Sequence, residues 1–195
     1  MVEPVTPRPA ASLLLLRETA SGPEVLMGQR HAGHRFMPNR LVFPGGAVDP
    51  EDHAAPAATE LRPAVRARLE AAAEPALARA LAIAAARELE EETGLSLGTP
   101  PPLDLLDMLC RAITPPPQTL RFDARFFVAP AEAARGTLAG SGELEGLRFY
   151  PAEEALALDL MLVTRTVLHR LLAWRAMPPA ARDAVPAAAM LIRRA

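Results

Sequence analysis

The sequence predicts a mixed α and β domain, and three observations carry that expectation. Two apolar stretches near the start, 11–19 and 24–31, flank the turn signal Ser21-Gly22-Pro23 and read as a strand pair. A long alanine- and leucine-rich segment, 75–93, opens at Glu74-Pro75 and closes at Gly94, the proline-first and glycine-last pattern of a helix. The chain has 195 residues, half of them apolar, which suffices for one domain with a real core.

The remaining elements follow in order. Residues 33–40, GHRFMPNR, read as a loop, and the short apolar strand Leu41-Val42-Phe43 stops at Pro44-Gly45-Gly46. Residues 53–74 are rich in alanine and arginine, and Leu61, Val65 and Leu69 recur at i, i+4 and i+8, predicting a short helix over about 61–72. Beyond the 75–93 helix, 103–113 and 120–128 read as strands on either side of Pro115-Pro116-Pro117. Residues 136–145 read as a loop, 147–150 as a short strand and 151–158 as the start of a helix. Two apolar C-terminal helices are expected at about 161–176 and 179–193, split at Pro178-Pro179. No repeat or boundary divides the chain, so 1–195 reads as one domain.

Composition excludes several classes of function. A net charge of −2 and a pI near 6.1 give no support to nucleic-acid binding. All 21 basic residues are arginine, which removes Schiff-base and P-loop lysine chemistry. The single Cys110 excludes an internal disulfide framework and a CxxC site. The apolar run Leu13 to Leu16 is too short for a signal or spanning segment, and the apolar stretch 160–177 carries Arg165, Arg170 and Arg175, which lipid would penalise. No membrane partner and a cytoplasmic location are the expectations. The apolar C-terminal helices are a candidate homodimer interface.

The informative segment is Arg87-Glu88-Leu89-Glu90-Glu91-Glu92-Thr93-Gly94-Leu95. On a helix, Glu88, Glu91 and Glu92 stand at i, i+3 and i+4 and project from one face, which continues back through Ala84, Leu81 and Leu77. Like charges at these spacings cost about 0.2–0.5 kcal/mol per pair. They also crowd the helix C-terminus, where the macrodipole disfavours anions. No basic residue follows at i+3 or i+4 to offset them. A hard divalent cation with oxygen ligands, Mg²⁺ or Mn²⁺, would compensate this charge; a solvated acidic helix end is the other reading the pattern leaves open.

Residues 87–95 resemble the second half of the Nudix hydrolase signature, with every fixed position matched. Phe43-Pro44-Gly45-Gly46-Ala47-Val48-Asp49-Pro50-Glu51-Asp52 is similar to its first half, with Asp52 where the family has glutamate. The spacing departs: 34 residues lie between Asp52 and Arg87 where the family pattern has seven, so a 27-residue expansion that includes 61–72 is expected to bulge out between the two halves. The expansion, together with Arg35-Phe36-Met37-Pro38 ahead of the Gly-Gly turn, resembles the acyl-CoA diphosphatase-like branch, over about residues 12–158. The resemblance implies the Nudix fold, an α+β arrangement forming an α/β/α sandwich with a mixed sheet, here with extra C-terminal helices. It implies a metal-dependent pyrophosphatase acting on a nucleoside diphosphate joined to another group, CoA or acyl-CoA among the candidates. ADP-ribose, NADH, nucleotide sugars and non-catalytic nucleotide binding are the alternatives.

By the same resemblance, Glu88, Glu91 and Glu92 would hold the metal with a carbonyl of Gly45 or Gly46, and a loop acid, Glu143 or Glu145, would act as base or further ligand; Glu145 is the residue taken as catalytic. Arg87 would pair with Glu91 or brace the loop. Arg30, Arg35 and Arg40 precede the Gly-Gly turn and are candidates to clamp phosphate, and Phe36 to stack on a base. For Phe43 and Trp174 core packing is the expectation. His31 and His34 form an HxxH too sparse for zinc, and nothing beside His169 or Cys110 suggests chemistry.

Overall fold

The structure, a computed structural model, describes residues 5–31, 39–116 and 118–185, with 189–191 as backbone alone. In chain order the elements are β1 (Arg8–Thr19), β2 (Gly22–Arg30), β3 (Leu41–Val42), β4 (Gly45–Ala47), α1 (Pro63–Glu70), α2 (Pro75–Thr93), β5 (Leu95–Ser96), β6 (Asp107–Ile113), β7 (Phe122–Pro130), β8 (Arg135–Gly136), β9 (Leu144–Pro151), α3 (Ala152–Ala157), α4 (Leu162–Arg175), α5 (Pro179–Arg182) and β10 (Ala189–Leu191). A 3₁₀ turn at Pro50–His53 follows β4.

One eight-stranded sheet runs β10-β6-β7-β1-β2-β3, with β4 joined to β1 and β9 to β2. β1 is parallel to β7 and antiparallel to both β2 and β4, so the sheet is mixed. β5 and β8 form a separate two-stranded ribbon. β1 is sandwiched on both faces, which is why Ala10 to Leu15 is nearly unbroken apolar sequence. Leu13 and Leu15 enter the core under α2, and Leu14 enters the opposite one. Burying each such leucine stabilises by about 1.5–3 kcal/mol.

α2 packs Ala78, Leu81, Ala82, Ala85 and Leu89 onto one face, and its alanines let the helix axis approach the sheet closely. α4 covers the other face with Val167, Leu168, Leu171 and Trp174. The result is the α+β sandwich that the resemblance implies. At the end of α2, Gly94 takes a left-handed conformation (φ 71°) and donates its N–H to the Glu90 carbonyl at 2.9 Å. A Cβ there would lie 2.6 Å from the Thr137 carbonyl oxygen, so the chain turns sharply only because this residue is glycine.

Four expectations are corrected. The 53–74 segment does not bulge out. Leu61, Val65 and Leu69 sit in the α2 core, α1 starts only at Pro63, and Arg125 ties the Ala72 carbonyl down at 2.9 Å. The strand expected from 103 begins at Asp107, because Leu103–Leu105 forms a 3₁₀ turn. β9 begins at Leu144, so Glu145 lies in a strand paired with Gln29 rather than in a loop. The last helix ends at Arg182 instead of continuing to 193, and 189–191 pair in parallel with β6; satisfying backbone groups of a sheet edge overrides the helical propensity of an alanine-rich tail.

Candidate active site

The apolar stripe of α2 seats its last two turns against the turn before β4, and this brings two glutamates onto glycine backbone. The Gly45 N–H donates to Glu92 Oε2 at 2.8 Å. At Gly46 any Cβ would overlap the Glu88 carboxylate, so glycine is what lets that acid approach the chain. β4 is itself held by β1 through the pairs Ser12↔Gly45, Ala11↔Gly46 and Ala10↔Ala47. The two separated sequence segments, 43–52 and 87–95, are thus adjacent in space.

Arg87 is the hub between them. Its Nε and Nη2 bond the two Asp52 oxygens at 3.0 and 3.1 Å, and Nη2 also reaches the Ala47 carbonyl at 3.1 Å. Its Nη1 donates to Glu88 Oε1 at 2.8 Å and Glu91 Oε2 at 3.0 Å. The bond to Asp52, with the charges of Glu88 and Asp52, holds Arg87 firmly protonated despite its partial burial. Asp52, 2% exposed, also accepts the Asp49 N–H at 2.8 Å, which closes the 3₁₀ turn. The shorter acid therefore still fixes the arginine fork.

Glu88 and Glu92 nevertheless keep raised pKa values beside this arginine. Glu92 is 4% exposed, and burial pushes its pKa up to about 7; the Gly45 N–H and the charge of Arg30 pull the other way, while Glu88 and Glu143 add to the rise. Burial likewise raises Glu88, against Arg87. Among the described residues no three His, Cys, Asp or Glu side chains are gathered so as to hold a metal ion. Glu88 and Glu92 nonetheless suit one. They are hard oxygen donors whose charges oppose each other, and a divalent cation would relieve that repulsion.

The other predicted residues are dispersed. Glu143, not Glu145, is the acid whose charge acts on both Glu88 and Glu92. The Glu145 side chain is 60% exposed and lies 3.6 Å from His31 Nε2. The charge of Arg30 acts on Glu92. Arg40 is ion-paired with Asp159, 119 residues away, a partner that no local pattern announces. Arg35, Phe36 and His34 lie outside the described residues. Phe43 is core, edge-to-face with Phe126 at 6.3 Å, and Trp174 is core beneath Arg182. Burial raises the Cys110 thiol to about 12, which keeps it protonated and inert.

A model of the NUDIX domain matches residues 78–171. Among solved structures, the chain is similar to a NUDIX hydrolase from Alicyclobacillus acidocaldarius, at 26% identity over 94% of this chain and 98% of that one, with a TM-score of 0.70. It is similar in fold to a MutT NUDIX hydrolase from Burkholderia pseudomallei (20% identity, 86% and 99% covered, TM-score 0.56). The NUDIX domain of Shewanella oneidensis NrtR, solved with ADP ribose, shares that fold at 16% identity (87% and 88% covered, TM-score 0.55). No curated protein matches. The chain has the Nudix fold, and the domain match over residues 78–171 and these neighbours together support a pyrophosphatase-type hydrolase. Hydrolases of this kind generally use divalent metals such as Mg²⁺ or Mn²⁺. No described helix is long and apolar enough to cross a membrane.

Proposed function

We propose that this hydrolase cleaves the pyrophosphate bond of a nucleoside diphosphate linked to a second group, with CoA or an acyl-CoA as the preferred substrate. The observation that carries the reading is the meeting of Glu88 and Glu92 with the Gly45-Gly46 turn. A pyrophosphate is polyanionic, so a carboxylate site takes it through bridging cations. Glu88 and Glu92 would hold Mg²⁺ or Mn²⁺ with the Gly46 backbone, and Glu91 would join once freed from Arg87. A cation held by Glu88 and Glu92 would supply polarisation of the phosphoryl oxygens and a lowered pKa for an attacking water.

The chain's own groups have separable tasks in this reading. Asp52 and Arg87 set the angle between the 43–52 turn and α2. Arg30 offsets charge beside Glu92, and Glu143 is better placed than Glu145 to take a proton or complete the ligand set. The acyl-CoA preference rests on the 27-residue expansion and on Arg35-Phe36-Met37-Pro38. ADP-ribose comes next, because the NrtR domain was solved with it.

The deciding experiment is product analysis with Mg²⁺ on CoA, an acyl-CoA, ADP-ribose and NADH, using the native chain and Glu92→Gln. Cleavage at the diphosphate of CoA, lost in the variant, is expected. Faster turnover of ADP-ribose would replace the substrate assignment, and full activity in Glu92→Gln would overturn the site.

A further inference from the structure

The proposed hydrolysis leaves one buried cation unexplained. Arg68, on α1, is 9% exposed, and its Nη1 donates to the Met108 carbonyl at 2.6 Å. Its Nε and Nη2 are buried and have no hydrogen-bond partner among the described residues. These two N–H groups share one edge of the planar guanidinium, the edge that matches two oxygens of a carboxylate or phosphate. Elsewhere among the described residues a single carboxylate fills that edge. Arg87 uses it on Asp52 at 3.0 and 3.1 Å, and Arg111 uses it on Asp123 at 2.7 and 2.8 Å.

An empty edge is costly here. Arginine does not shed its proton, so the charge cannot be relieved by neutralisation as a buried lysine's can. Of the acids that attract Arg68, Asp107 is engaged by Arg62. Asp183, just after α5, exerts the strongest attraction, and its carboxylate makes no hydrogen bond or ion pair among the described residues. The guanidinium lies beside β6 at Met108, ahead of the residues 111–113 where β10 pairs.

We propose that the Nε–Nη2 edge of Arg68 is a bidentate oxyanion site between α1 and the C-terminal part of the chain, separate from the carboxylate site. Its ligand is a two-oxygen anion, supplied either by Asp183 of the same chain or by free phosphate. With Asp183 as the occupant, the pair would tie α1 to the segment just after α5.

Thermal melting of the native chain, Arg68→Lys, Asp183→Asn and the double variant separates the sources, with and without inorganic phosphate at constant ionic strength. If Asp183 is the occupant, each single variant melts about 3–10 °C lower, the double variant no lower than the worse single, and phosphate rescues only Asp183→Asn. If phosphate is the occupant, it raises the melting temperature of the native chain but not of Arg68→Lys. Arg68→Met, which removes the charge and keeps the volume, is the control. Melting of that variant at or above the native temperature, with no phosphate response in any chain, would overturn the site.

Discussion

Two acidic clusters in this molecule have opposite electrostatics. On the β6–β7 pair, Asp123 is half-buried and burial pushes its pKa up, yet Arg111 and Arg125 outweigh that and hold it below the ordinary carboxylate range. At the end of α2, Glu92 is buried with one backbone N–H and a more distant arginine charge, and its pKa rises to about 7. The first cluster is neutralised by the chain itself. At the second, Arg87 bonds Glu88 and Glu91, the pKa of Glu92 stays raised, and the proposed function has a cation from solution bind there. In that reading a structural ion pair and a ligand-binding carboxylate would differ in whether the fold supplies the counter-charge.

The sharpest way to break this contrast is at Glu92. Glu92→Gln should lower Mg²⁺-dependent turnover by about 10³-fold, equivalent to roughly 4 kcal/mol of barrier, with the circular dichroism spectrum unchanged. Asp123→Ala should do the reverse, leaving turnover per folded molecule intact. It should cost about 3 kcal/mol in denaturant unfolding, because Arg125, 1% exposed, loses its carboxylate partner.

The two clusters should also respond to pH with opposite slopes. The lowered pKa of Asp123 adds stability that is lost on acidification. The raised pKa of Glu92 means the folded state holds its proton longer than the unfolded state does. In chelator, its contribution is therefore present at low pH and lost as pH climbs from about 4.5 towards 7, by roughly 3 kcal/mol at most. Melting curves across that range should flatten in Glu92→Gln, and Mg²⁺ should flatten or invert the native slope. A native slope unaffected by either change would erase the distinction. The smallest effect is expected at Glu145, whose exposed side chain faces His31. Glu145→Gln should change kcat less than about twofold, while Glu143→Gln should lower it several-fold; the opposite ranking would return Glu145 to the site.

Local chemistry made much of this legible in the sequence. Pro75 and Gly94 bound α2 where a fixed φ and a left-handed cap act within one turn, and the 3.6-residue period aligned Glu88 and Glu92 with the buried stripe. The features that were not legible depend on distant partners. The parallel register of β1 on β7 joins residues more than 100 apart, and the capture of Arg40 by Asp159 spans 119. The strand placement of Glu145 was hidden for a related reason: β9 extends back to Leu144 by pairing with Arg30, a contact set by sheet register that a stretch holding three glycines conceals. Arg87, by contrast, takes both of its expected roles, pairing with Glu91 and bracing the loop. Its i+4 bond to Glu91 is local, but its stronger hold on Asp52 crosses the whole 53–86 segment.

The Gly45 amide that donates to Glu92 also gives the site a built-in spectroscopic probe. Its proton is bonded to one carboxylate oxygen rather than to a sheet carbonyl, so its nuclear resonance and its exchange with deuterated water track the ionisation and ligation of Glu92 alone. Titrating Mg²⁺ while following that single peak would read cation arrival at the candidate site before any substrate has been found.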